Sequence, residues 1–286
     1  MLRRRVSGLR IWIPSLLAGA LALSAAVRAE RLPVRAYTVD DGLAGDEINT
    51  ILQDSRGYLW IGTDTGLSRF DGTRFVEYDS RQGLPNPHVT ALLETSSGDL
   101  LVGTTGGLAR LDLKSSSASR IFKPLPEAPD AARRPGRISD LLADGDRTWL
   151  VDSTASGGLF RLHPSGGRIG LEEVKREMGK PVAGGTSLAL DGAGGIWVGG
   201  TTGLLHRLAD GRWVEVPVLP RSQAAGITAL LLDSQHRLWI ATAEALYVLK
   251  PGGEVSRFDP ASGFPRDSPA CGAPGVCCKP ATARSG

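Results

Sequence analysis

Apolar residues in this chain come in short runs of about four to six, and each run is closed by glycine, aspartate or proline. The stretch 48–78 shows the plan. Ile48–Gln53 is apolar on both faces, which suits an inner strand covered on either side. Asp54 to Gly57 follows as a tight turn, because aspartate bonds its own backbone and glycine accepts positive φ. Leu59–Thr63 and Leu67–Phe70 are two further strands, joined through Asp64-Thr65-Gly66. Asp71-Gly72 is a two-residue hairpin signal, and Arg74–Tyr78 is the fourth strand. Connections this tight predict four strands in antiparallel succession.

The same plan returns at 89–112, 138–162, 186–216 and 227–258. Its anchors, Trp60, Leu101, Trp149, Trp197 and Trp239, stand 41, 48, 48 and 42 residues apart. A period of this size holding four strands belongs to a β-propeller. The predicted fold class is all-β, a propeller of four-stranded antiparallel blades at about 48–80, 89–122, 138–172, 186–217 and 227–259. Val34–Leu43 aligns with Phe75–Leu84 at an offset of 41. The chain thus carries a spare outer strand, 33–39, of the kind that closes a propeller ring. After Pro265 the pattern stops, and 266–286 reads as an atypical, disordered tail. Five repeats and a spare strand predict part of a larger, seven-bladed propeller, truncated or frame-shifted. The alternative is a closed five-bladed ring with a natural tail.

Repetition turns the most suggestive stretch, YLWIGTDTGLSRFDG at 58–72, from a ligand loop into scaffold. A phosphate loop needs a lysine after its last glycine, and none follows Gly66. Trp60, Trp149, Trp197 and Trp239 are expected to fill the space between blades. Gly62, Gly103 and Gly199 are expected to serve turns and close backbone approach. Asp54, Asp144, Asp191 and Asp233 recur at the first turn. One carboxylate per turn is too few for the roughly six to eight oxygens calcium takes, so they read as turn caps and no metal is expected. Arg69, Arg110 and Arg161 recur in the third strand, where their stems should pack along the blade. His88, His163, His206 and His236 fall at four different places in the repeat, with no metal-ligand spacing. No Gly-x-Ser-x-Gly elbow is present, no catalytic residue is assigned, and no cofactor is expected. The third repeat departs from the pattern, with Asp152-Ser153 read in place of Gly-Thr, and in the fifth Ala241 and Ala245 replace glycines.

The first 29 residues read as an address. Arg3, Arg4, Arg5 and Arg10 precede an apolar run from Ile11 to Val27, and Val27-Arg28-Ala29 offers a cleavage site. A secretory signal peptide and a periplasmic location are expected; the alternative is an uncleaved membrane anchor. The leader changes the charge argument. Five of the 33 basic residues and none of the 30 acidic ones precede Glu30, leaving 28 against 30 and a formal charge of −2. The basic balance of the whole chain thus belongs to the leader and implies no nucleic-acid partner. All three cysteines lie at 271–278, so the repeats form without disulfides.

The stretch ILQDSRGYLWIGTDTGLSRFDGTRFVEYDSRQGLPNPHVTALLET, 51–95, resembles the two-component regulator propeller repeats. These form the periplasmic sensor portion of bacterial membrane receptors. The resemblance covers Pro33 to about Pro265. It implies a ligand-sensing module for a small molecule or glycan, in a parent receptor that is a homodimer with a histidine kinase or diguanylate cyclase output. No phospho-acceptor box or cyclase motif is in the chain, so the chain itself is not expected to be an enzyme. Membrane contact would come only through a missing downstream segment or an uncleaved leader. Binding is expected on the rim where fourth-to-first and second-to-third connections meet. On the first blades that rim includes Asp64, Thr65, Asn86, His88 and Thr105. Two alternatives are a secreted lyase, since streptogramin-lyase blades have a similar Trp-Ile-Gly grammar, and a protein-binding scaffold.

Overall fold

The computed structural model describes residues 35–112, 120–125, 134–154, 157–165, 168–174, 184–201, 203–218 and 226–258. The expected leader 1–29 and tail 266–286 lie outside them. The chain divides into Met1–Ala36 and Tyr37–Gly286, and the second unit holds all the sheets.

That unit is an all-β propeller assembly of five four-stranded antiparallel sheets, each with its strands in simple succession. The blades span 48–78, 89–125, 138–174, 185–216 and 227–258. Their inner strands are Ile48–Gln53, Val89–Glu94, Ile138–Asp144, Gly185–Leu190 and Ile227–Leu232. Four apolar clusters join blade 1 to 2, 2 to 3, 3 to 4 and 4 to 5.

A size match sets how closely successive blades approach. A Cβ on Gly62 would sit 2.6 Å from Val89 Cγ1, one on Gly103 2.7 Å from Ile138 Cγ2, and one on Gly199 2.5 Å from Ile227 Cγ2. Each glycine thus receives the first inner-strand side chain of the next blade. Between blades 3 and 4 the sizes reverse: Val151 occupies the glycine position and meets Gly185, whose Cβ would lie 3.1 Å from Val151 Cγ1. Strand register places Val151-Asp152, not Asp152-Ser153, where blades 1 and 2 have Gly-Thr, because Asp152 pairs with Ile138 as Thr63 pairs with Ile48.

A second device accompanies the first. Every inner strand carries a bulge just after its first residue. The bulged residue is always polar: Asn49, Thr90, Ser139, Thr186 or Thr228. A bulge re-aims its side chain, and here it turns toward the next blade. Asn49 Nδ2 donates to Val89 O at 3.1 Å and Ser139 Oγ to Gly185 O at 3.0 Å. Thr90 and Thr186 donate to Ile138 O and Ile227 O. Thr228 is bonded within its own blade, to Ala241 O at 3.2 Å.

The first turns of blades 1, 4 and 5 are held by carboxylates, whereas Asp144, expected to cap the third, is a strand residue paired with Arg147. Asp54 accepts from the Arg56 and Tyr58 amides at 3.0 and 2.9 Å, and also from Trp60 Nε1 at 3.0 Å. Burial alone would raise its pKa, but hydrogen bonds from Trp60, Arg56 and Tyr58 outweigh it and hold the carboxyl below the ordinary value. Asp233 does the same for Trp239 Nε1, at 2.8 Å.

The succession is open at both ends. Among the described residues no apolar cluster joins blade 5 to blade 1. Ile48 and Ile51 on blade 1 are 37% and 52% exposed, and Phe258 on blade 5 is 37% exposed. The expected closing strand 33–39 is not formed in its described part: residues 35–38 lie in no sheet. An outer strand needs a third strand to pair with, and the described residues supply none. Tyr37 instead packs edge-to-face on Phe75 at 5.4 Å, as Tyr78 packs on Phe122 at 5.5 Å. The turns that follow match too: Val39–Asp41 ends on Gly42 at φ 97, and Ser80–Gln82 on Gly83 at φ 102. Residues 37–43 therefore lie against blade 1 as 78–84 lie against blade 2.

Candidate functional site

The rim is built where the connection entering a blade meets that blade's second-to-third loop. In blade 1, Thr65 Oγ1 donates to Ala44 O at 2.5 Å, and Thr63 Oγ1 donates to Gly66 O at 3.0 Å. A side chain at Gly45 would collide with Thr65 Oγ1 and come 2.9 Å from Asp64 Oδ1. In blade 2, Asn86 Oδ1 accepts from the His88 amide at 2.9 Å, and the Thr105 amide donates to His88 O at 3.1 Å. Pro85 and Asn86 press on Gly106 closely enough that a Cβ there would lie 2.9 Å from Asn86 Cβ.

The five expected rim residues therefore form two equivalent patches, one per blade. Asp64 and Thr65 are in the first; Asn86, His88 and Thr105 are brought together in the second. Thr65 Oγ1 and Asn86 Oδ1 hold the loops in place. Among the described residues, the Asp64 carboxylate and the His88 imidazole have no hydrogen-bond partner, and both residues are half-buried. With the Thr105 hydroxyl, they are the polar side-chain groups of the two patches that form no hydrogen bond among the described residues. In the connection that leads to the second patch, the Arg81 side chain and amide bond Asp79 at 2.8 and 2.7 Å and keep its carboxyl below the ordinary range. Among the described residues no three His, Cys, Asp or Glu side chains are grouped to hold a metal.

Of the repeat anchors, Trp60 and Trp149 are 1% exposed, while Trp197 and Trp239 are half-buried. Sequence reasoning missed two polar groups on the third blade. Asp152, 2% exposed, takes the place of Thr63 and accepts from the Gly136, Arg137 and Thr154 amides at 2.9, 3.3 and 2.9 Å. Asp140, on the inner strand, accepts from Ser187 Oγ at 3.1 Å and the Leu188 amide at 2.8 Å. The bulged polar series was also missed. Its signal was present in the apolar-then-polar pairs at 48–49, 89–90, 138–139 and 227–228.

The two component regulator propeller family profile matches residues 42–65 and 83–106. Each match runs from an entering connection to a second-to-third loop, and so contains one rim patch. A histidine kinase of Formosa agariphila is 38% identical over 58 residues, 20% of this chain and 4% of that protein. Among solved structures, the extracellular domain of a B. thetaiotaomicron protein assigned as a hybrid two component system superposes with a TM-score of 0.63. It is 17% identical, over 78% of this chain and 31% of that one. Streptogramin B lyase superposes with a TM-score of 0.53, at 18% identity over 78% of this chain and 72% of the lyase. The chain thus spans a small part of the kinase and about a third of the receptor domain, and the two structural likenesses concern the fold.

Proposed function

We propose, from the match of residues 42–65 and 83–106 to the two component regulator propeller profile, that the chain is the ligand-sensing module of a bacterial signal-transduction receptor. The module works outside the cytoplasm, delivered by the basic, apolar leader. Its parent is a homodimeric receptor with a histidine kinase or diguanylate cyclase output and further blades covering the faces of blades 1 and 5. The observation that carries this reading is the coincidence of both family matches with the rim patches of blades 1 and 2. A small molecule or glycan binds across them, with Asp64 and His88 as its polar contacts. Ligand binding signals only if it favours one receptor arrangement over another, so the module binds its ligand and does not turn it over.

The test is a thermal-shift and binding screen of the purified chain against a panel of oligosaccharides. Binding by at least one glycan class is expected, weakened tenfold or more by Asp64→Ala or His88→Ala with the unliganded melting temperature unchanged. Absence of binding across the panel, binding indifferent to both substitutions, or cleavage of the bound compound would each overturn the reading.

A further inference from the structure

The contact between blades 3 and 4 combines two features that act in the same direction, and their combination sets it apart from the other three. The first concerns a missing carboxylate. Asp54, Asp191 and Asp233 each stand six residues before their tryptophan, whereas Asp144 stands five before Trp149. The turn is one residue shorter, so Asp144 becomes a strand residue paired with Arg147, 4.0 Å from its Nη1. Trp149 is 1% exposed, and its Nε1–H is buried with no acceptor among the described residues. Trp60 and Trp239 give the same proton to Asp54 and Asp233. At Trp197 the carboxylate is engaged by His206 at 2.9 Å. Among the described residues that indole N–H is likewise buried without an acceptor, but no arginine or lysine lies over its ring.

The second feature is an added cation. The residue that the following blade lays against the anchor is Leu111, Leu162 or Leu249 at the other contacts, each buried. Opposite Trp149 it is Arg207, whose guanidinium lies 5.4 Å over the indole, with Arg161 at 5.9 Å. Arg161 is paired with Glu172 at 2.6 Å. Among the described residues Arg207 has no ion-pair partner. Burial and repulsion from Arg161 and Arg147 lower its pKa. A buried donor without acceptor and a half-buried cation without counter-ion are each costly, and here they adjoin.

We propose that this place between blades 3 and 4 binds a carboxylate supplied from outside the chain, which accepts the Trp149 Nε1–H and pairs with Arg207. It takes the position that Asp54 and Asp233 fill in their own blades. The adjoining turn at Asp144 and Arg147 is partly open to solvent, with side chains 25% and 59% exposed. A carboxylate fits because it is the group the repeat itself uses between an indole N–H and an arginine.

Acetate is the probe. Indole N–H signals of the full chain are followed by heteronuclear NMR, with sodium acetate replacing sodium chloride at constant ionic strength and Trp149→Phe assigning the signal. The Trp149 proton is expected to move downfield and saturate while the other indoles stay in place. Arg207→Leu, which installs the residue of the other contacts, should weaken the effect at least tenfold. Arg207→Gln, keeping polarity, serves if the leucine variant fails to fold. No movement of the Trp149 signal, equal movement of all indoles, or a response indifferent to loss of Arg207 would overturn the proposal. So would a large shift on Asp144→Asn in chloride alone, since that would show Asp144 to be the acceptor already.

Discussion

The contact between blades 1 and 2 and that between blades 3 and 4 bury the same anchor by opposite means. In the first, glycine at 62 admits Val89, Asp54 holds the indole proton, and Leu111 covers the ring. In the second, Val151 meets Gly185, no carboxylate holds the indole, and Arg207 covers it. Both tryptophans are 1% exposed. The repeat therefore conserves summed volume at the contact rather than any one residue, as expected where close packing limits what two facing positions can hold together. Its polar equipment is free to change.

The largest effect should come from forcing the wrong pair of sizes. Gly103→Val drives a branched side chain into Ile138, whose Cγ2 and Cβ would lie 2.7 and 3.0 Å from the new Cβ. Overpacking of this kind costs about 3 kcal/mol. Adding Ile138→Gly recreates the Val151–Gly185 arrangement. The double variant should then be more stable than the sum of the single changes by about 1 kcal/mol or more, read as a coupling energy from urea unfolding. Strict additivity would show that the reversed pair on blades 3 and 4 is not a size exchange.

How far this was legible in the sequence follows from the same residues. The five blades, their strand order and the anchor tryptophans could be read because repetition multiplies a weak pattern. The role of Gly62 in close approach was within reach for the same reason. Its exchange with Gly185 was not, because the partners are 34 residues apart in one contact and 27 in another (Val151 to Gly185 and Gly62 to Val89), and a pairwise volume rule leaves no local mark. The rim residues were located as loop positions. That the side chains of Thr65 and Asn86 hold the rim together while those of Asp64 and His88 do not depends on which carbonyls and amides the loops present, which composition does not encode. The N-terminal repeat match was visible, but an aligned sequence does not make a strand where no partner strand is offered.

The next effect concerns the carboxylate. Asp54→Asn should cost about 2 kcal/mol, because a buried acceptor of a charged and an indole donor is replaced by a group that brings a competing donor. Asp144→Asn, at a partly exposed turn, should stay within about 0.5 kcal/mol. The pH dependence separates them further. The folded carboxyl of Asp54 titrates below its ordinary value of 3.8. Its contribution is thus full above that value and is lost as pH falls through the lower folded one. Acid titrations of stability should show a steeper loss below about pH 4 in the parent than in Asp54→Asn. Parallel curves would mean that Asp54 acts only as a turn cap.

The smallest effect distinguishes covered faces from open ones. Thr90 and Thr228 occupy the same bulge, and both lie about 3.2 Å from a carbonyl of their own blade. Thr90 also reaches Ile138 O across the contact, whereas Thr228 has no following blade among the described residues. Thr90→Val should therefore cost about 1 kcal/mol, the net worth of a buried hydrogen bond. Thr228→Val keeps the shape and removes a bond at a half-open face, so its cost should fall below about 0.5 kcal/mol. If the two substitutions cost the same, the polar bulge works within its own blade and does not hold successive blades together. If Thr90→Val costs more, the open face of blade 5 lacks a hydrogen bond that the four closed contacts possess, and among the described residues it offers a further blade mainly the apolar area at Trp239 and Phe258.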